Sequence, residues 1–242
     1  MLNINVDSKS IQKELTKFAN KEKAKILQGF FKTGKGEYGE GDIFLGITVP
    51  TQRKIAQKYT SLSLNEIKKL LTSKIHEERL TALIILTYKY EKTKKNIEKK
   101  EIYDFYLSNT KYINNWDLVD VTTPKIIGNY LLEHKQSRKI LYTLANSKNL
   151  WEKRISILAT FTFIKNNDFV DTIKISEMFL SEEHDLMHKA TGWMLREVGK
   201  KNEKELTNFL DKHKKKMPRT MLRYSIEKLE EKKRKYYLNT SK

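Results

Sequence analysis

The sequence of 242 residues contains no cysteine, which excludes a disulfide framework and any site built on thiolates. Three prolines and nine glycines are too few to interrupt the chain often, so long helical runs are expected. No stretch approaches the roughly 18 consecutive apolar residues of a membrane span. The opening "MLNINVDSKS" lacks the basic-then-apolar order of a secretory signal, and the expectation is a soluble, cytoplasmic protein. Arginine is scarce: eight arginines stand beside 40 lysines. Period-two strand patterns are also missing. "GDIFLGITV" is the one contender, and Pro50 directly after it favours a loop.

What the chain does have is charge. Charged residues make up 32% and apolar residues 38%, a balance that suits helices with long solvated faces. The formal net charge of +18 creates a field that attracts polyanions, nucleic acid before an acidic protein. Lysine, asparagine and isoleucine are abundant together, as an A+T-rich genome would encode them, so the charge by itself does not identify a ligand.

Helix signals recur from end to end. Ser63 with Glu66 forms a capping-box pattern ahead of "LNEIKKLL". "HEERLTALIILTYKYEK" places Leu80, Leu83, Ile84 and Tyr88 on one stripe, and "WEKRISILATFTFIKNN", capped by Asn149, does so with Trp151, Ile155, Leu158 and Thr162. "HDLMHKATGWMLREVGKK" stacks Leu186, Ala190, Trp193 and Glu197. Asn202 with Glu205 marks a further cap, and Pro218 suits the first turn of "RTMLRYSIEKLEE". Tryptophans at 116, 151 and 193 are spaced by 35 and 42 residues, near the ~40–47-residue period of helix-pair repeats. The expected fold is all-α, a HEAT-like or armadillo-like helical-repeat solenoid forming a single domain over 1–242. Such a solenoid offers a curved inner face that gathers residues from distant helices. The basic tail, 230–242, is expected to fray.

Two motifs resemble sites without meeting their requirements. "GKGEYG", Gly34 to Gly39, fits G-x-G-x-x-G, yet the text before it reads as helix, and Glu37, Glu40 and Asp42 oppose phosphate. It reads as a glycine-rich surface loop. "HDLMH" sets His184 and His188 at i and i+4 without a third ligand or a suitable base, so no metal is expected.

"NNWDLVD" poses the sharper question. In a helix, Trp116 and Asp120 share a face, while Asp117 is a favourable acid in the first turn. The pair reads either as core filler beside a turn residue or as a site that stabilises a cation. Arg154, and Trp193 flanked by Arg196 and Lys200, add aromatics among cations, a combination that suits sugar and phosphate.

These blocks, "NNWDLVDVTTPKIIGNYL", "LWEKRISILATFTFI", "HKATGWMLREVGKKN" and "MPRTMLRYSIEKL", closely resemble AlkD-type DNA alkylation repair proteins, over roughly residues 20 to 228. "FLGITVPTQRK" resembles the family's N-terminal segment and brings in Arg53. The resemblance implies a solenoid whose basic concave face holds duplex DNA, and a glycosylase releasing cationic bases such as 3-methyladenine and 7-methylguanine without base flipping. It implies that Asp120 is the catalytic carboxylate and that Trp116 and Trp193 flank the damaged deoxyribose. Arg154, Arg196, Lys200 and Arg53 become DNA-binding positions. The implied partner is alkylated double-stranded DNA, with no cofactor, no metal, no membrane and a monomeric protein. Departures are the insert "KTGKGEYGEGD", Asn115 in place of a second tryptophan, and Thr48 in place of glutamine. Two other readings remain open: a DNA-structure binder that excises nothing, and a protein-interaction scaffold.

Overall fold

A computed structural model of the chain describes residues 7–240. Among them the architecture is all-α, without a β-strand. The chain separates into two compact units, one ending at Thr122 and the other starting at Thr123.

The first unit contains α1 (Ser8–Thr16), α2 (Lys21–Phe30), α3 (Val49–Lys58), α4 (Leu64–Leu71), α5 (His76–Lys92) and α6 (Asn96–Ser108). It also holds all but the last residue of α7 (Trp116–Thr123). Its centre is α5, buried on every side from His76 to Thr87 and packed against α3, α4 and α6. The expected stripe of Leu80, Leu83 and Ile84 is therefore part of a wholly buried helix rather than one face of an amphipathic one, and each such aliphatic side chain contributes roughly 1.5–3 kcal/mol of burial. "GDIFLGITV" runs as a loop, touching the start of α5 through an isolated parallel bridge between Ile43 and Ile75.

The second unit continues α7 through a π-helical turn, Pro124–Gly128, into α8 (Asn129–Glu133). Then follow α9 (Lys139–Ala145), α10 (Leu150–Lys165), α11 (Val170–Met178), α12 (Asp185–Lys201), α13 (Glu203–His213), α14 (Arg219–Ser225) and α15 (Glu231–Thr240). Long helices again carry the core: α10 packs on α9, α11 and α12, and α12 on α13 and α14. A long buried helix flanked by shorter ones, recurring along the chain, is the organisation of helix-pair repeats. The π turn starts at a proline, which has no N–H to give the ladder, and Thr162 Oγ1 donates to the Pro124 carbonyl at 2.7 Å.

The sequence-read caps form. Asn149 accepts from Trp151 N–H and Asn202 from Glu205 N–H, while Pro218 sits just ahead of α14 as its N-cap residue. Ser63 accepts from Glu66 N–H, but the reciprocal half of the capping box is diverted: Glu66 instead accepts from the backbone N–H and hydroxyl of Ser8, at 2.8 and 2.7 Å. The tail does not fray up to residue 240. Tyr237 is 4% exposed, Arg219 donates to the Leu238 carbonyl, and Lys214 donates to the Tyr236 hydroxyl, so α15 is docked by its aromatics. Residues 241–242 of that expectation lie outside the described residues.

Gly192 sets how closely α12 meets α14. A Cβ there would stand 2.6 Å from both the Met221 carbonyl oxygen and Tyr224 Cβ. Gly192→Ala should lower stability by roughly 1–3 kcal/mol through overpacking, read as a lower urea midpoint at unchanged slope. An unaltered midpoint would rule out so close an approach.

Candidate functional site

The two carboxylates of the Trp-Asp-x-x-Asp stretch have opposite fates. Asp117 is 7% exposed and faces inward, accepting from His76 Nε2 at 2.8 Å and from Leu118 N–H at 2.8 Å. Asp120, one turn beyond Trp116 on α7, is half-buried. The first-turn acid is structural, and the second lies nearer the surface.

His76 has a carboxylate at each nitrogen. Nδ1 lies 3.0 Å from Asp42, and Asp42 also accepts from Arg79 at 2.6 Å. All four groups are buried. A neutral imidazole has one N–H and would aim a lone pair at one of these anions, so the geometry calls for the imidazolium. With it, two cations balance two anions. Burial on its own would lower the pKa of His76, but the charge of Asp117 and the bonds to both carboxylates outweigh it, and the value is pushed up to about 9. The pKa of Asp42 is lowered, since bonds from His76 and Arg79 override its desolvation. Of the three acids expected to oppose phosphate in the glycine-rich loop, Asp42 is thus already neutralised inside the protein.

An aromatic column carries this order to Trp116. Its indole stacks on Phe31 (4.9 Å, 14°), Phe31 on Phe44 (5.0 Å, 21°), and Phe44 on the His76 ring (4.5 Å, 20°). A cationic ring over an aromatic face is favourable. Trp116 Nε1 donates to the Tyr38 hydroxyl at 3.3 Å, so the segment read as a surface loop touches the site. Asn115 is fully buried and accepts from Trp116 N–H at 2.8 Å, opening the helix.

The "FLGI" motif acquires a physical explanation here. Gly46 takes φ +82, and the N–H groups of Leu45, Gly46 and Ile47 all converge on the Glu77 carboxylate at 2.8 to 3.1 Å. An apolar cavity of about 290 Å³ opens beside this turn, walled by Phe30, Phe31, Phe44, Ile47 and Leu80. Its lining includes Asp117 but not Asp120. Thr48 is exposed at the start of α3, bonded to Thr51, and Arg53 is half-buried on the same helix.

In the second unit, α12 presents Trp193, Arg196 and Lys200. Trp193 is half-buried, with its ring 5.8 Å from Phe161. The aromatic flanked by cations is held by anions whose role the sequence does not announce. Glu197 accepts from Trp193 Nε1 at 3.2 Å and from Lys200 at 2.7 Å, and Arg196 is paired with Glu227 from beyond α14. The i+4 spacing from Trp193 to Glu197 was the available signal for the first; Glu227 gave none. Arg154, expected to bind DNA, makes an internal bond as well. It is 5% exposed, and its Nη1 donates to the Leu186 carbonyl at 2.6 Å, tying α10 to the first turn of α12. His184 accepts from Leu186 N–H, and His188 bonds the Glu182 carbonyl, so both imidazoles serve the helix start.

The raised pKa of His76 has a stability consequence. Protons are bound more tightly by the folded than by the unfolded protein, so the contribution is complete below about pH 6.5 and is lost as pH rises through about 9. Its size is roughly 1–3 kcal/mol. Urea unfolding of the wild type should weaken across this interval, and His76→Gln should be less stable at pH 6 with a flatter profile. Identical pH profiles for the two proteins would show that His76 is not the imidazolium of a buried bridge.

The fold recurs in a solved protein. A structure from Enterococcus faecalis, described as a predicted DNA alkylation repair enzyme, superimposes with a TM-score of 0.70 over 88% of this chain and 97% of that one, at 17% identity. No curated protein matches the chain. The sequence model of the DNA alkylation repair enzyme family matches residues 11–229. That span takes in α7 and α12 with every candidate residue named above, and the chain belongs to the DNA alkylation repair enzyme family.

Proposed function

We propose that this protein is a DNA glycosylase, hydrolysing the N-glycosidic bond of cationic alkylated purines of the 3-methyladenine and 7-methylguanine type in duplex DNA, without flipping the base. The observation that carries this is the division of labour on α7: Asp117 is consumed by His76, while Asp120 stays half-buried, one turn from an indole held on its other face by Phe31.

A purine alkylated on a ring nitrogen already carries positive charge, so it leaves with the bonding electron pair as a neutral base and needs no general acid. As the C1′–N bond breaks, positive charge grows on the sugar. Asp120 supplies the fixed anion that stabilises it, and takes or steers the proton of the attacking water as the new C1′–O bond forms. Trp116 gives an aromatic face to the same charge, and Trp193 is assigned the corresponding role from α12. Arg196, Lys200 and Arg53 bind phosphates. Arg154, buried against Leu186, acts by fixing the start of the helix that bears Trp193. A carboxylate outside the apolar cavity fits chemistry directed at the sugar rather than at an enclosed base.

The deciding measurement is release of free base from methylated duplex DNA. Asp120→Asn should lower the rate by on the order of 10²–10³ while DNA binding and folding persist. If the wild type binds methylated duplex but frees alkylpurine no faster than spontaneous loss, the protein is a DNA binder on this scaffold and not a glycosylase.

A further inference from the structure

Arginine is rare in this chain, eight residues against 40 lysines, so where arginines gather is informative. Arg79 and Arg138 are buried in bonds to carboxylates, and Arg154 is buried on a backbone carbonyl. Three of the remaining five, Arg219, Arg223 and Arg234, converge on one polar cavity of about 540 Å³ between α14 and α15, together with Tyr224, Glu227 and Leu238.

Like charges do not collect in a concave site without compensation, and the carboxylates beside these arginines are shared with other cations. Glu227 is already shared by Arg196 and Lys228, and Glu231 by Arg234 and Lys235. Arg219 spends one N–H on the Leu238 carbonyl, which fixes its guanidinium against α15. Arg223 is exposed, lines the cavity, and has no hydrogen bond or ion pair among the described residues. A lysine-rich composition would supply point charges. Planar forks with several N–H groups instead suit an oxyanion gripped through two oxygens. The site is also firmly mounted, because Tyr224 packs against Gly192, the residue before Trp193, and Glu227 links it to Arg196 on the same helix.

We propose that Arg219, Arg223 and Arg234 form a phosphate-binding pocket that takes a backbone phosphate of the DNA, extending the contact surface beyond Arg196. The pocket rests on the DNA reading above. Each phosphate neutralised releases condensed counterions, so the contact is legible in the salt dependence of binding. Arg223 is the residue to vary, being exposed and without a hydrogen bond or ion pair among the described residues.

The experiment measures binding of a fluorescein-labelled, unmethylated duplex across a salt series, for the wild type, Arg223→Gln, Arg223→Lys, and Lys68→Gln as a charge-matched control on α4. Arg223→Gln should reduce the slope of log K against log salt by about 0.9, the value for one lost phosphate. Arg223→Lys should keep most of the slope but bind several-fold more weakly, and Lys68→Gln should behave as wild type. A wild-type slope in Arg223→Gln overturns the pocket, as does an equal loss in Lys68→Gln, which would reduce the effect to net charge. Inorganic phosphate, titrated at constant ionic strength, provides the second arm. Protection of the wild type by phosphate, together with a wild-type DNA slope in Arg223→Gln, would identify a small-anion site and overturn the DNA assignment. Absence of salt-dependent DNA binding by the wild type would instead sink the DNA reading itself, a different outcome from loss of the pocket alone.

Discussion

The first unit depends on a charge buried where charge is expensive. His76 sits under the aromatic column with one carboxylate on each nitrogen and Arg79 alongside. Removing any member leaves an unpaired ion in the interior, so the four groups stand or fall together. The pairing joins distant segments: Asp42 closes the glycine-rich loop, His76 opens α5, and Asp117 lies in the first turn of α7. The loop, the central helix and the helix bearing Asp120 are thereby fixed at one point. Glu77, the next residue on α5, performs a parallel task by gathering three backbone N–H groups of the following loop.

This arrangement gives two aspartates three residues apart different surroundings. Helical periodicity puts Trp116 and Asp120 on one face and turns Asp117 away from it. Asp117 is then committed to an imidazole through one oxygen and to Leu118 N–H through the other. The inward acid orders the start of α7, and the indole beside it is braced by Phe31 and Tyr38. Preorganisation of this kind is what an electrostatic catalyst requires, since a carboxylate that must reorient during the reaction gives back what its charge contributes.

Local physics was legible in the sequence and remote pairing was not. Helices α5, α10 and α12 and the Ser63, Asn149 and Asn202 caps are set by residues within four positions of each other, and all were readable. The face shared by Trp116 and Asp120 follows from the same periodicity. The partners of His76 lie 34 and 41 residues away, Glu227 is 31 from Arg196, and Leu186 is 32 from Arg154. No spacing rule reaches that far. Arg154 accordingly read as a DNA-binding position, with nothing to indicate that one of its N–H groups meets the Leu186 carbonyl. Tyr237 read as part of a fraying tail, because its burial depends on α15 packing back on the second unit.

The same distinction separates the two basic residues. Lysine is everywhere in this protein, and most of it is exposed on helix faces where substitution by a neutral residue would alter the field more than any contact. Some arginines occupy positions where planarity and several fixed donors matter: Arg138 bonds Asp168, Asp171 and the Leu131 carbonyl while lying over the Phe163 ring, a set no ammonium group could make. A chain biased towards lysine in this way has arginine where geometry demands it. For Arg79, Arg138 and Arg154 the demand is internal and visible. For Arg223 nothing among the described residues supplies it, and that is the ground on which a phosphate, with oxygens to share, is proposed as its partner.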